Sequence, residues 1–209
     1  MVATVSVQEG TGSSVSWTTI TNRVRLFASD LATNQTTAQT SSPIIIPSAA
    51  GQGYNSGNFN YSFWKHVSLS ISGTFTTVSN INHYSSGSIA WTWGTSGQLR
   101  RGMINGTKGS VAQGCPVVNY TQATGTGNSG YPIEGNGSGS NGHPYYDTSP
   151  NGIADMNSDT SGSLALIDAG PYTTTTTATN SVVLQAKVGY DATQGTQTAV
   201  TLTWQYDES

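Results

Sequence analysis

The sequence predicts an all-β protein, an antiparallel β-sandwich with a long glycine-rich loop excursion, for which a jelly-roll-like topology is one candidate. Three observations lead to this fold class. Short runs alternate between apolar and polar residues with a period of two, which is typical of half-buried strands. No window shows a helical period. Glycine, asparagine and serine turns separate the runs at short spacing, as in sandwiches and barrels.

Four short strands are predicted in the first fifty residues. Apolar and polar residues alternate or β-branched residues cluster around 4–7, 15–20, 24–27 and 43–47. The last of these reads PIIIP. A proline at each end cannot donate a ladder hydrogen bond, so this segment is predicted as an edge strand.

Three strands are predicted in the central block. Val67, Leu69 and Ile71 alternate with serines, and a second run covers 78–84. A third run carries Ile89, Trp91 and Trp93 on one face. Displayed on an open sheet these tryptophans would suit sugar stacking in a glycan-binding module, but their small and apolar neighbours favour a place in the core.

Residues 94–162 are rich in glycine and poor in apolar side chains. A loop of this length is uncommon inside a compact domain unless it is functional. We therefore predict one domain over 1–209, with 94–162 as a loop-rich insertion that makes contacts between subunits.

The end of the chain predicts a hairpin. Apolar residues alternate over 182–190 and again over 200–206, with a turn at 191–197 between them. Trp204 is expected in the core of the sandwich. Asp207 and Glu208 are interpreted as a solvated stop that keeps the last strand from pairing with a neighbour.

The composition excludes several classes of function. Charged residues make up 8% of the chain, against roughly 25% in an ordinary domain. Seven Lys and Arg residues and a net charge of -3 argue against nucleic acid, and no apolar stretch is long enough to cross a bilayer. The first residues predict no secretory signal. Cys115, the single cysteine, predicts a small buried side chain and no disulfide.

The ionisable residues predict no enzyme and no cofactor. His66, His83 and His143 lie outside any nucleophile motif, and they are expected to bond locally on a polar sheet face. The acids are scattered over loops and strand ends. The pair Arg100-Arg101, with Lys108 beyond it, is expected to be solvated or to touch another subunit.

One segment resembles part of a calcium loop. Asp155, Asn157, Asp159 and Ser161 repeat at every second position, so their oxygens could converge on one cation. The twelfth position of such a loop is a carboxylate, and here it is Leu166. A turn stabilised by side-chain to backbone hydrogen bonds is the competing interpretation.

Nine sequence blocks in order resemble a family of small structural virion proteins of tailed phages. The blocks are EGTGSS (9–14), WTTITN (17–22), PIIIP (43–47), FWKH (63–66), NINHYSSG (80–87), YTQATGT (120–126), VLQAKV (183–188), ATQGT (192–196) and TLTWQYDE (201–208). The resemblance implies no catalytic residues. The sequence departs from the family pattern at Trp91, at Trp93 and in the Arg100-Arg101 stretch.

The resemblance implies a structural protein located in the virion and made in the host cytoplasm. The first expectation is a capsid decoration (cement) protein that is a homo-oligomer and contacts the major capsid protein or other virion subunits. A tail-tube, neck or adaptor protein is the alternative within the virion, and a glycan-binding β-sandwich is the alternative outside it. Neither nucleic acid nor a membrane is an expected partner.

Overall fold

The computed structural model describes most of the predicted strands but little of the excursion. The described residues are 2–11, 16–21, 23–26, 44–52, 58–63, 65–87, 89, 91–104, 154–176, 180–195 and 197–209. Predictions for Lys108, Cys115, His143 and the remainder of 105–153 concern residues outside this set.

The described residues form ten β-strands and no helix. The strands are β1 (Ala3–Thr11), β2 (Ser16–Thr19), β3 (Phe59–Tyr61), β4 (Lys65–Gly73), β5 (Val78–Ser85), β6 (Gln98–Ile104), β7 (Ala154–Asp155), β8 (Ala165–Asp168), β9 (Ser181–Gly189) and β10 (Leu202–Glu208). The strand pairs are antiparallel, which confirms the predicted fold class.

Two sheets of unequal size make the sandwich. The larger has the order β2-β1-β4-β9-β6-β7, with β3 pairing along β9, and the smaller has the order β10-β5-β8. Apolar residues of both sheets pack together: Leu69 and Ile71 of β4 meet Val78 and Ile81 of β5 in one cluster. A second cluster joins β9 to β8, where Ile167 is buried.

Strand β9 is buried on both faces. Its alternating Val182, Leu184, Ala186 and Val188 belong to the core, as predicted from the period-two pattern. The intervening Val183 and Gln185 are also buried. Central strands between two covered faces carry few exposed positions, so β9 is the inner strand around which the larger sheet is built.

The predicted hairpin of β9 and β10 is wrong. Strand β10 pairs with β5 in the smaller sheet, with Trp204 opposite His83, whereas β9 lies between β4 and β6 in the larger sheet. The connection crosses from one sheet to the other. It is bonded to the segment before β6: Thr193 N donates to Thr92 O (2.9 Å), and Trp91 Nε1 donates to Thr198 O (2.6 Å).

Three predicted strands are irregular in the structure. Residues 23–26, 44–47 and the described part of 89–93 form no strand. Ile44, Ile46 and Trp91 instead pack against the larger core cluster. The predicted strands are therefore absent at these described residues, although several of their apolar side chains are partly buried.

The insertion predicted at 94–162 begins and ends inside the larger sheet. Strand β6 pairs with β9 over its full length, and β7 pairs with β6, with Arg101 opposite Ala154. Leu99 and Met156 are buried in the core. Paired strands therefore lie within both ends of the predicted insertion, and the residues between these strands are 105–153.

The connection between β8 and β9 joins the two sheets along one side. Tyr172 bridges to Val78 of the smaller sheet, and Thr176 bridges to Ile71 of the larger. Asp168 holds this connection through three donors: Gly170 N (2.9 Å), Tyr172 Oη (2.6 Å) and Asn180 N (2.9 Å). The hydrogen bond to Asp168 and burial both raise the pKa of Tyr172, burial more strongly.

Candidate functional site

The surface of the described part of the molecule carries few charges. Among the described Asp, Glu, Lys and Arg residues, the exposed ones are Arg23, Asp191, Asp207 and Glu208. Both carboxylate oxygens of Asp191 accept hydrogen bonds from Thr95. These bonds lower the pKa of Asp191. The exposed positions are mostly Ser, Thr, Asn, Gln and Gly. A surface of this kind can be buried against a protein without desolvating many ions.

Two charges are buried together between β1 and β4. Lys65 Nζ lies 2.6 Å from Glu9 Oε1, and the two side chains are 2% and 3% exposed. Both residues stand at core-facing positions, because Glu9 pairs with Val67 and follows Val5 and Val7 in alternation. A buried ion pair contributes little net stability, but the loss of one partner is costly.

A second ion pair lies between β6 and the turn after β7. Arg101 Nε contacts Asp159 Oδ2 (2.5 Å) and Nη2 contacts Oδ1 (3.2 Å), so the contact is bidentate and buried. The Arg100-Arg101 pair is expected to be solvated or to touch another subunit, and the solvated alternative is wrong for Arg101, which is buried and faces the core beside Leu184. Arg100 is half-buried.

The two described histidines are buried, and the expectation that they lie on a polar sheet face is wrong for His83. His83 faces the core, 4.8 Å from Trp204 between ring centroids, and its Nδ1 has no hydrogen-bond partner. Burial and then Arg101 lower its pKa to about 3. Burial and then Lys65 lower the pKa of His66 to about 3. The positions of the two rings add no support to the catalytic interpretation.

The incomplete calcium motif has its side chains directed to other partners. Asp155 Oδ1 accepts the amide of Asn157 (3.0 Å), and Asn157 Oδ1 accepts the amide of Ile89 (2.7 Å). Asp159 is engaged by Arg101, while Ser161 is exposed. The described residues hold no group of three or more His, Cys, Asp or Glu side chains placed to bind a metal. Asp155 and Asn157 instead form side-chain to backbone hydrogen bonds, which are the bonds expected if the segment is a turn.

The paired tryptophans do not form an open stacking platform. Trp93 is 8% exposed and belongs to the core, and its ring lies 4.2 Å from that of Trp91 at a tilt of 44°. The indole N–H of Trp91 is already donated to Thr198 O. These contacts agree with the core interpretation.

The two acids at the end of the last strand, Asp207 and Glu208, accept hydrogen bonds from neighbouring strands. Glu208 Oε1 accepts the amide of Ala3 (2.6 Å), and Asp207 Oδ2 accepts from Asn80 Nδ2 (2.7 Å). The strand pairing continues through Glu208, and Ser209 O accepts the amides of Thr76 and Thr77. Both acids are exposed, as expected for a solvated end, and they also bond β10 to its surroundings.

Strands β2 and β10 lie at sheet edges of the described fold. Strand β10 pairs with β5 and β2 pairs with β1, and among the described strands neither has a second neighbour. The β2 edge exposes Ser16, Thr18 and Thr19. Trp17 covers Gly10, where an added Cβ would lie 2.9 Å from the ring. An unpaired edge offers backbone donors and acceptors to another chain.

Comparison of the chain with protein-family models, with curated proteins and with solved structures found no match. No helix among the described residues is long and apolar enough to cross a membrane.

Buried charges are the residues that sequence reasoning missed, and most of them had a signal. Glu9, Lys65, His83 and Arg101 each stand two residues from an apolar core residue on the same strand face. Alternation alone would have placed them inside. Asp159 has no such signal, because it lies in a turn.

Proposed function

We propose that the protein is a structural virion protein, and in the first place a capsid decoration protein that binds the phage head as a homo-oligomer through symmetric contacts. The observation that carries this proposal is the placement of charge: nine of the thirteen described Asp, Glu, Lys and Arg residues are buried or half-buried, and the exposed positions of the described surface are mostly uncharged and polar. The ordered sequence blocks support a virion origin.

The physical basis is the sum of many modest contacts. Free edges such as β2 and β10 can add strands from a neighbouring chain, and polar side chains can bond across the contact without the cost of removing water from ions. Symmetry repeats each contact over many copies, so the total stabilisation is large even when each contact is weak.

Location on the particle tests the proposal. Immunogold electron microscopy and protein quantification on gradient-purified particles are expected to find hundreds of copies on the head. One or a few rings at the neck or along the tail would favour the alternative of a neck, adaptor or tail-tube protein. Absence from the particle would overturn both.

Substitutions on the sheet edges test the contact surface. We expect Thr18→Glu on β2 and Gln205→Glu on β10 to leave the unfolding free energy nearly unchanged, because both positions are exposed. Both variants should occupy fewer sites on the particle. Thr193→Glu, exposed in the β9–β10 connection, is the matched control. Equal occupancy of all three variants would argue against the edges.

The excursion can be tested separately. Because Arg101 pairs with Ala154, a short Gly/Ser linker can replace 105–153 without separating β6 from β7. We expect the shortened protein to fold and to bind particles less well than the full chain. Limited proteolysis gives a second readout, since cleavage within 105–153 should be slower on the particle than in the free protein.

A further inference from the structure

One turn connects the two sheets at the charged part of the core. Residues 156–159 bond to the larger sheet, where Met156 N donates to Leu99 O (2.9 Å) and Asp159 pairs with Arg101. They also bond to the smaller sheet through Ser85: its amide donates to Asp159 O (2.8 Å), and its hydroxyl donates to Met156 O (2.7 Å). His83 stands two residues before Ser85 on the same face of β5.

We propose that this turn and His83 form an acid-sensitive latch between the two sheets: protonation of His83 places a second cation beside Arg101 in a buried site, and the turn then releases β5. The negative charge of Asp159 already balances that of Arg101, so a charged imidazole would add a net positive charge to the site. The ring is held neutral in the closed form.

The groups that face His83 leave a second positive charge without compensation. Strand β6 contributes Arg101, which is paired with Asp159 of the 156–159 turn, and β10 contributes the uncharged ring of Trp204. Strand β8 places Ala165 beside it in the sheet. Glu9 and Lys65, the charges that β1 and β4 bring to this core, are paired with each other.

The pH window follows from the difference between the closed and open forms. The pKa of His83 is about 3 in the closed form, against 6.5 for a solvated histidine. In the open form, in which the turn has released β5 and His83 is solvated, the imidazole is protonated as the pH falls below 6.5. In the closed form it stays neutral until about pH 3. The population of the open latch rises about tenfold for each pH unit down to pH 3 and is unaffected above pH 6.5.

Hydrogen exchange read by mass spectrometry tests the latch on the whole chain. After correction for the intrinsic exchange rates, protection of peptides that contain Ser85 and Met156 should fall about thirtyfold between pH 7.5 and pH 5. Peptides that contain Ile71 and Val78, whose amides bond to the β8–β9 connection in the apolar part of the core, should change much less. An equal loss in both regions would overturn the proposal.

Variants assign the effect to His83. In His83→Phe and His83→Gln the loss of protection at pH 5 should disappear, because neither side chain takes up a proton. His66→Gln is the matched control, since His66 is equally buried with a similarly lowered pKa and lies outside the latch; it should keep the loss at Ser85. A loss that persists in both His83 variants would overturn the proposal, and the wild-type comparison decides alone if they do not fold.

Discussion

The two ends of the sandwich core differ in chemistry although the same strands build them. At the apolar end, Ala3 of β1, Leu69 and Ile71 of β4, and Val78 and Ile81 of β5 pack without a charge. Further along the same faces, the strands place Glu9, Lys65 and His83, and β6 adds Arg101. A chain with few charges thus keeps several of them inside and leaves its surface polar.

This difference suggests how the two ends contribute to the fold. The apolar end stabilises through burial of surface, about 25 cal/mol per Å². The charged end gives little net stability, but it permits few arrangements, because each buried ion requires its partner at bonding distance. Substitutions at the two ends should therefore behave differently, and the predictions that follow are ordered by expected size.

The largest effect is expected from removal of one buried charge. Lys65→Met leaves Glu9 buried without its partner, and we expect a loss of about 3–5 kcal/mol in the free energy of unfolding, measured by urea denaturation. The double variant Glu9→Leu/Lys65→Met should recover most of the loss or exceed the wild type. A loss below about 1 kcal/mol in Lys65→Met would show that the pair is solvated.

A somewhat smaller effect is expected at Trp204, which touches both ends. The ring packs against both core clusters and is half-buried, so Trp204→Ala should cost about 3 kcal/mol, at the lower limit for large aromatic residues. Tyr190→Ala is the control, because Tyr190 is 44% exposed. Similar denaturation midpoints for the two variants would mean that the Trp204 contacts add nothing to the core.

The next effect concerns the connection that joins the sheets beside the apolar end. Asp168→Asn removes a buried carboxylate with three donors, and we expect a loss of about 2 kcal/mol. Asp191→Asn, an exposed carboxylate bonded to Thr95, should unfold like the wild type. If chemical denaturation gives the same free energy of unfolding for both variants, the hydrogen bonds of Asp168 do not stabilise the connection.

The smallest effect is expected at the outer strand of the apolar end. Glu208→Gln weakens the contact with the Ala3 amide, and at a partly buried site this should cost at most about 1 kcal/mol. Thermal unfolding would show a small shift. A large loss would indicate that the contact between β10 and β1 is central to the sandwich.

The alternation of residues predicted which faces are buried but not which strands are neighbours. The runs at Val67, Leu69 and Ile71 and at 182–188 are strands with the expected faces inward. The predicted pairing of β10 with β9 was wrong because two strands with apolar faces can lie side by side in one sheet or face each other from two sheets. The bonds from Thr92 and Trp91 to the connection decide between these arrangements, and they join residues about a hundred positions apart.

The charged end was missed for a different reason. Glu9, Lys65 and Arg101 continue an apolar face, but each has its bonding partner on another element, and a buried ion is unfavourable until that partner is known. The incomplete calcium motif was misleading for the same reason. Asp155 and Asp159 have the spacing of calcium ligands, but Asp159 is paired with Arg101, which lies far away in the sequence.

The contact between Ala3 and Glu208 has a topological consequence. The amide of Ala3 and the carboxylate of Glu208 are 2.6 Å apart, so the first and last strands meet and the described chain nearly closes into a ring. A short linker from Ser209 to Val2 should preserve the order of strands in both sheets. New chain ends opened between the paired strands β6 and β7 would then turn the inserted segment into two free arms, while the sandwich keeps every strand pair.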